Sequence, residues 1–168
     1  MDFKKFAEEA GFNLEGVKRT EVCSNSGEFA HVFTQSVEDA DLNTLVKKLE
    51  KDGYKVDLSN PTVDKYELPL NEQVFEFETV TYNLLKGENV AGTVHQVIDS
   101  NKMTTFALIE GENKHLYTFD QEGNVIKTKS SEDDIEPQYD WYGGCKMVCS
   151  RVCNAGLVMT MAGCIEAC

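Results

Sequence analysis

Apolar and polar residues alternate through the middle of the chain, which is the pattern of β-strands that bury one side. In Val74 to Tyr82, for example, Phe75 and Phe77 alternate with Glu76 and Glu78. The predicted strands are Tyr54 to Leu58, Val74 to Tyr82, Val90 to Ile98, Met103 to Ile109, His115 to Phe119 and Val125 to Thr128. Turn-forming residues separate the later strands, so we predict an antiparallel β-meander. Asn60-Pro61 is expected to interrupt the sheet after the first strand.

Two segments have helical periodicity. Phe3, Phe6 and Ala10 share one helical face before Gly11, which predicts a short amphipathic helix. A longer helix is predicted from an N-cap at Asp41 to a stop at Gly53. Its apolar positions follow the i, i+3, i+4, i+7 spacing and are Leu42, Leu45, Val46 and Leu49. The fold class expected is therefore α+β, with one or two helices packed on an antiparallel sheet.

Composition divides the chain into three parts. Residues 1–129 carry the predicted helices and strands, and residues 130–144 form an acidic, proline-containing linker that ends in Gly143-Gly144. Residues 145–168 are rich in cysteine and apolar residues, and contain five of the six cysteines. We therefore expect one acidic domain, a linker and a separate Cys-rich tail.

Net charge differs between the domain and the tail. The chain has a formal charge of −13, and the tail carries Lys146 and Arg151 against Glu166. The tail is thus +1 and residues 1–144 are −14. Such an acidic domain repels nucleic acid, so nucleic-acid partners are not expected.

The cysteine spacing of the tail predicts a helical hairpin. Cys145, Cys149 and Cys153 form one helical stripe, and Cys164 and Cys168 form another after a ten-residue gap. Folding the two helices antiparallel brings Cys153 opposite Cys164 and Cys149 opposite Cys168. Two such disulfides would stabilise so small a unit by roughly 2–4 kcal/mol each. Cys145 then has three possible fates, namely pairing with Cys23, pairing between chains, or remaining free.

This C-x3-C-x10-C-x3-C spacing resembles that of the α-hairpinin defence peptides. The outward faces of the hairpin would be apolar and slightly cationic, which suits a membrane interface. The membrane-contact candidates are Lys146, Met147, Val148, Arg151, Val152, Met159 and Met161. The alternative is that this apolar surface packs on the sheet of the domain.

Gly143-Gly144 directly precedes Cys145 and resembles the double-glycine site cut by the peptidase domain of bacteriocin exporters. The glycine pair is equally suited to a hinge between domain and tail. An acidic domain followed by such a terminus also resembles halocin-type bacteriocin precursors and the related immunity protein/bacteriocin family. That resemblance implies an antimicrobial C-terminal peptide, masked or neutralised by its own N-terminal domain. Its expected partners are a peptidase or exporter and a target-cell membrane or receptor.

Other classes of function have weaker support. Cys23 with His31, His95 or His115 supplies the residue types of a cysteine protease, but no nucleophile motif surrounds Cys23, so no enzyme activity is expected. The x3 spacing of the tail thiols does not match zinc knuckles, so we expect neither metal nor cofactor. The N-terminus lacks the apolar core of a Sec signal, which predicts cytoplasmic synthesis followed by export of the tail alone. The rival prediction is a non-enzymatic binding protein whose stapled hairpin is a structural cap.

Overall fold

A computed structural model describes residues 16–70, 73–99, 102–111 and 114–129. These ranges form an α+β fold of two helices and a seven-stranded antiparallel sheet, as the periodicity predicted. The helices are α1 (Gly27–Glu38) and α2 (Ala40–Lys51). The strands are β1 (Lys18–Glu21), β2 (Lys55–Leu70), β3 (Gln73–Lys86), β4 (Asn89–Asp99), β5 (Lys102–Ile109), β6 (His115–Phe119) and β7 (Val125–Lys129). The predicted N-terminal helix, the linker and the hairpin tail lie outside the described residues.

The strands lie in the sheet in chain order, from β1 to β7, and each pairs antiparallel with the next. The predicted meander is therefore confirmed over its described strands. Gly87, with φ +63°, lies in the turn between β3 and β4, where a left-handed backbone reverses the chain at low cost. Every strand after β2 can pair locally with its predecessor, so short turns suffice to build the sheet.

The interruption predicted at Asn60-Pro61 is wrong. β2 runs through these residues, and its register against β3 shifts between Asp57 and Thr62. The carboxylate of Asp57 accepts hydrogen bonds from the backbone and hydroxyl of Ser59 and from Asn60 Nδ2. A bulge absorbs the proline, which has no N–H for the ladder, so that the strand bends and then continues.

The two helices adjoin each other at Asp39. Ser26 caps α1 by accepting a hydrogen bond from Phe29 N at 3.0 Å. Asp39 ends α1 and caps α2, because its Oδ2 accepts a hydrogen bond from Leu42 N at 3.0 Å. The predicted N-cap at Asp41 is therefore wrong by two residues. Asp41 instead lies in the first turn of α2, where a carboxylate favours the positive end of the helix dipole.

Both helices pack on one face of the sheet, here called the first face. From α2, Leu42, Leu45 and Leu49 are at most 1% exposed. Burying each leucine contributes about 1.5–3 kcal/mol before entropy costs. The first-face core comprises Val22, Val32, Leu42, Leu45, Leu49, Val56, Val63, Val80, Tyr82, Leu84, Val94, Ile98, Ala107, Ile109, Tyr117 and Phe119.

The opposite side of the sheet, here called the second face, is also buried. Side chains alternate along each strand, so the register assigns the members of this face directly. Its buried members are Asp64, Tyr66, Phe77, Thr79, Thr93, His95, Val97, Asp99, Thr104, Phe106, Leu108, Leu116 and Thr118. The sheet is thus mainly apolar towards the helices, apart from Gln96 and Thr105, and carries a mixture of aromatic, aliphatic and polar side chains on its other side.

Candidate functional site

A polar network on the first face connects the helix junction to the centre of the sheet. The Ser36 hydroxyl donates a hydrogen bond to Gln96 Oε1 and, having one proton, accepts one from the Tyr82 hydroxyl. Gln96 Nε2 lies 3.2 Å from Asp39 Oδ2 and 3.3 Å from Thr105 Oγ1. Thr105 Oγ1 in turn donates to Asp39 Oδ2 at 3.1 Å. One carboxylate therefore caps α2 and holds two neighbouring strands.

This network is suited to positioning rather than to catalysis. Ser36 faces a phenol and an amide, and neither is a base at neutral pH. Burial raises the pKa of Tyr82, although its hydrogen bond with Ser36 partly opposes this, so the phenol stays neutral. Buried polar groups that satisfy one another fix a single arrangement of helices on sheet.

His95 lies at the centre of the second face and is fully buried. Its Nδ1 is 3.1 Å from Thr81 Oγ1 and its Nε2 is 2.9 Å from Thr93 Oγ1. The ring stacks on Phe106 at 5.2 Å between centroids. Which threonine donates and which accepts depends on the protons that the ring carries. The sequence-based view of His95 as a sheet residue is confirmed.

The second face continues towards β1 as an aromatic pair beside an ion pair. Tyr66 and Phe77 stack with 5.0 Å between ring centroids and an interplanar angle of 7°. Arg19 reaches from β1 to Asp64 with Nη2–Oδ2 and Nε–Oδ1 distances of 2.9 Å. This bidentate pair compensates the burial of a carboxylate that is only 1% exposed. The second face thus combines a stacked aromatic pair with an ion pair to the edge strand β1.

A third cluster closes the C-terminal end of α2. Asp52 accepts hydrogen bonds from Lys48 Nζ at 2.7 Å and from the Tyr117 hydroxyl at 2.8 Å. These bonds lower the pKa of Asp52, with Lys48 the larger cause. Burial, together with the bond to Asp52, raises the pKa of Tyr117. Lys127 Nζ lies 5.3 Å from the centroid of the Tyr117 ring, so β7 is joined to the same cluster.

Cys23 is the one predicted site residue that the structure describes. It is exposed in the segment between β1 and α1 and has no disulfide partner in the described ranges. Its Sγ lies 2.8 Å from Asn25 Oδ1. The His95 ring is hydrogen-bonded to two threonines, and His31 is an exposed residue of α1. His115 lies in β6, as predicted.

The remaining site predictions concern residues beyond Lys129. The tail cysteines and their pairings, the cleavage candidates and the membrane-contact candidates all lie outside the described residues. In the ranges that the structure describes, no group of three or more His, Cys, Asp or Glu side chains is arranged to hold a metal ion. No helix in those ranges is both long and apolar enough to cross a membrane.

Sequence reasoning missed the polar residues that join the helices to the first face of the sheet. Gln96 occupies an inward position between Val94 and Ile98. A polar residue at a position where the alternation is otherwise apolar was the signal that could have identified it. Ser36 holds the corresponding position in α1, after Phe29, Val32 and Phe33 at helical spacing. A polar residue on a buried face needs a partner, and two such residues on facing elements find each other.

Among the described residues, the second face is continuous across β2 to β6 and lies outside the cluster formed by the two helices. It mixes aromatic, aliphatic and polar side chains, and the members named above are buried rather than open to a ligand. No family model, curated protein or solved structure matches this chain.

Proposed function

We propose that this protein is a bacteriocin-like precursor in which residues 145–168 are an antimicrobial peptide. The preceding domain masks that peptide or confers immunity to it. The observation that carries the proposal is the abrupt change in composition after Gly143-Gly144. Five of the six cysteines follow this point, at a spacing suited to a stapled helical hairpin.

The first support from the domain is that it has a core of its own. The first-face core of the described residues extends from Val22 to Phe119, and Val125 packs against it. The last strand among the described residues is β7, which pairs with β6. A domain with a core of its own supports a separate role for the Cys-rich tail.

Charge supplies the second support. Residues 1–144 carry −14 and the tail carries +1 through Lys146 and Arg151. Several acidic side chains of the domain are exposed, among them Glu38, Glu88 and Glu122. Complementary charge favours encounter between a cationic peptide and its acidic neighbour.

The length of the linker makes masking effective. Residues 130–144 would keep the tail within about 20 Å of the domain if they behave as a flexible coil. Such a tether holds the tail at an effective concentration of about millimolar, so a weak contact suffices to keep it bound. Cleavage after Gly144 ends this advantage, and an exporter with a peptidase domain would then release an active peptide to a target-cell membrane or receptor.

The first experiment is the intact mass, without reduction, of this protein in the cells and medium of its native host. We expect a secreted species that begins at Cys145 and is lighter by two hydrogen atoms for each disulfide. Replacing both Gly143 and Gly144 with alanine should abolish that species, whereas Gly27→Ala should not. Full-length chain alone, retained in cells with free thiols, would refute the proposal.

A second experiment addresses killing and masking directly. Synthetic residues 145–168, oxidised, should inhibit the growth of related strains, and the same peptide with every cysteine replaced by serine should not. Added residues 1–144 should reduce the inhibition. Inactivity of the oxidised peptide against a broad panel of related strains would contradict the antimicrobial role.

One observation favours a second candidate, a non-enzymatic binding protein whose stapled hairpin is a structural cap. The second face is buried although both helices pack on the first face. A tail that packs on the second face would never be released. This candidate predicts a single uncleaved species whose tail resists protease while the domain is folded.

A further inference from the structure

A cluster of charged side chains lies between the first turn of α1 and strands β2 and β3. Lys65 on β2 is opposite Glu78 on β3, and both point to the first face, as does Val80 two residues further along β3. Lys65 Nζ lies 3.9 Å from Glu28 Oε1 of α1 and 3.7 Å from Glu76 Oε2 of β3. One ammonium group therefore neighbours three carboxylates.

Glu78 differs from the other two carboxylates in its surroundings. The Glu28 and Glu76 side chains are 51% and 56% exposed, so water screens their charges. Glu78 is half-buried. Burial raises the pKa of Glu78 and the charges of Glu28 and Glu76 raise it further, whereas Lys65 and His31 lower it in part. The ionised form of Glu78 is therefore less favourable in the folded protein than in water.

The charged groups that face Glu78, among the described residues, belong to three elements. They are Glu28 and His31 of α1, Lys65 of β2 and Glu76 of β3 itself. On β4 the residue opposite Glu78 is Ile98, which is apolar. Further towards the sheet edge, Lys18 of β1 lies 3.5 Å from Glu67 of β2, so these two charges offset each other. The balance of charge at Glu78 thus depends mainly on α1 and Lys65.

We propose that this cluster is a pH-sensitive contact, in which protonation of Glu78 in mild acid strengthens the packing of α1 on β2 and β3. A neutral carboxyl group needs no compensation for its burial and does not repel Glu28 across the contact. The sign follows from the raised pKa of Glu78. Its contribution to stability is complete below the unfolded pKa of about 4.3 and is lost as pH rises through the higher folded pKa.

The response should be confined to the first half of α1. The other end of this helix is held by the buried hydrogen bonds of Ser36 to Tyr82 and Gln96. Towards its start, Val32 is buried and Phe29 only partly so, and α1 packs there on β2 and β3 beside the charged cluster. A segment with few buried contacts opens before the rest of a domain. This inference does not depend on the role of the tail.

Amide hydrogen exchange of the full-length chain at pH 5 and pH 7, corrected for intrinsic rates, tests this contact. Protection of the first half of α1 should be several-fold greater at pH 5, while protection of α2 stays the same. Glu78→Gln should give the higher protection at both pH values. Glu88→Gln, in the exposed turn between β3 and β4, is the matched control and should behave like the parent chain. An equal pH response in the parent chain and in Glu78→Gln, or none in the parent, would overturn the inference.

Two further variants identify the titrating group. Lys65→Gln removes the ammonium group that opposes the raised pKa of Glu78, so the loss of α1 protection should move to higher pH. A shift to lower pH, or no shift, would contradict the inference. His31→Gln should retain the pH response of the parent chain. If the response disappears in His31→Gln and persists in Glu78→Gln, the imidazole is the titrating group and the inference is wrong.

Discussion

Gly92 on β4 provides the sharpest test of the packing between strands. It lies opposite Leu84 of β3 and Ile109 of β5, next to a register shift in β3. A Cβ atom built on Gly92 would be 1.9 Å from the carbonyl oxygen of Leu108 and 2.9 Å from the Cα of Ile109. Both obstacles are backbone atoms of a central strand, so Gly92→Ala requires β4 and β5 to move apart.

The size of the effect follows from the displacement. Real Cβ contacts are essentially never closer than 3.0 Å, so the carbonyl must move by about 1 Å. Overpacking that shifts the backbone lowers the free energy of unfolding by roughly 1–3 kcal/mol. Because the obstructing atoms belong to the backbone, we expect Gly92→Ala to lie at the upper end of this range. With a urea dependence of about 2 kcal/mol per molar, the unfolding midpoint should fall by about 1–1.5 M.

Gly27→Ala is the matched control, because it adds the same methyl group where nothing lies within 4 Å. Gly27 begins α1 after its N-cap, and alanine there should leave stability unchanged or raise it by up to about 1 kcal/mol. Urea unfolding followed by circular dichroism, with both variants reduced, measures the two effects. If Gly92→Ala is as stable as the parent chain, or if both variants lose the same free energy, the close approach of β4 and β5 is wrong.

Three further predictions concern stability. Asp39→Ala removes the α2 cap and its bonds to the sheet, so it should lower the free energy of unfolding in urea by at least about 2 kcal/mol. Asp41→Ala should lower it by less than about 0.5 kcal/mol. Equal losses in the two variants would indicate that Asp41, not Asp39, is the cap. The lowered pKa of Asp52 contributes stability above its unfolded pKa of about 3.9, and this is lost as pH falls through the lower folded pKa. Tyr117→Phe removes one cause of the lowered pKa of Asp52, so it should reduce the free energy of unfolding by about 1 kcal/mol at pH 6 and by less at pH 3. A reduction that does not change with pH would contradict a role of Tyr117 in lowering this pKa. Cys23→Ser should change the unfolding midpoint of the reduced chain by less than the error of the fit, because the thiol is exposed.

The middle of the chain shows how far periodicity alone can go. The strands from β3 to β7 and the helix α2 follow from alternating or helical spacing, because each buries one side and keeps the other polar. The ends of these elements were harder to predict. Both Asp39 and Asp41 lie where an N-cap of α2 is expected from sequence, and only the hydrogen bond from Leu42 N to Asp39 identifies Asp39 as the cap. Local pattern thus determines the type of an element better than its bounds.

Two elements escaped prediction for different reasons. In α1, Ser36 occupies the fourth buried position, so the apolar stripe looks incomplete until Gln96 and Tyr82 are known to face it. β1 is a strand only because it pairs with β2, since its four residues are exposed and have no apolar alternation. Both cases depend on partners that are distant in sequence, and local propensity carries no information about such partners.

The sequence by itself determined the fold class, the strand order of a local meander, the acidity of the domain and the separate composition of the Cys-rich tail. These properties depend on residue composition and on patterns among residues close together in sequence, so they can be predicted without knowledge of distant contacts. Only the tertiary structure decided that Asp39, Gln96 and Thr105 meet, that His95 lies between Thr81 and Thr93, and that both faces of the sheet are buried. Those facts arise from the register of strands far apart in the chain, where a shift of one residue would turn every side chain to the other face.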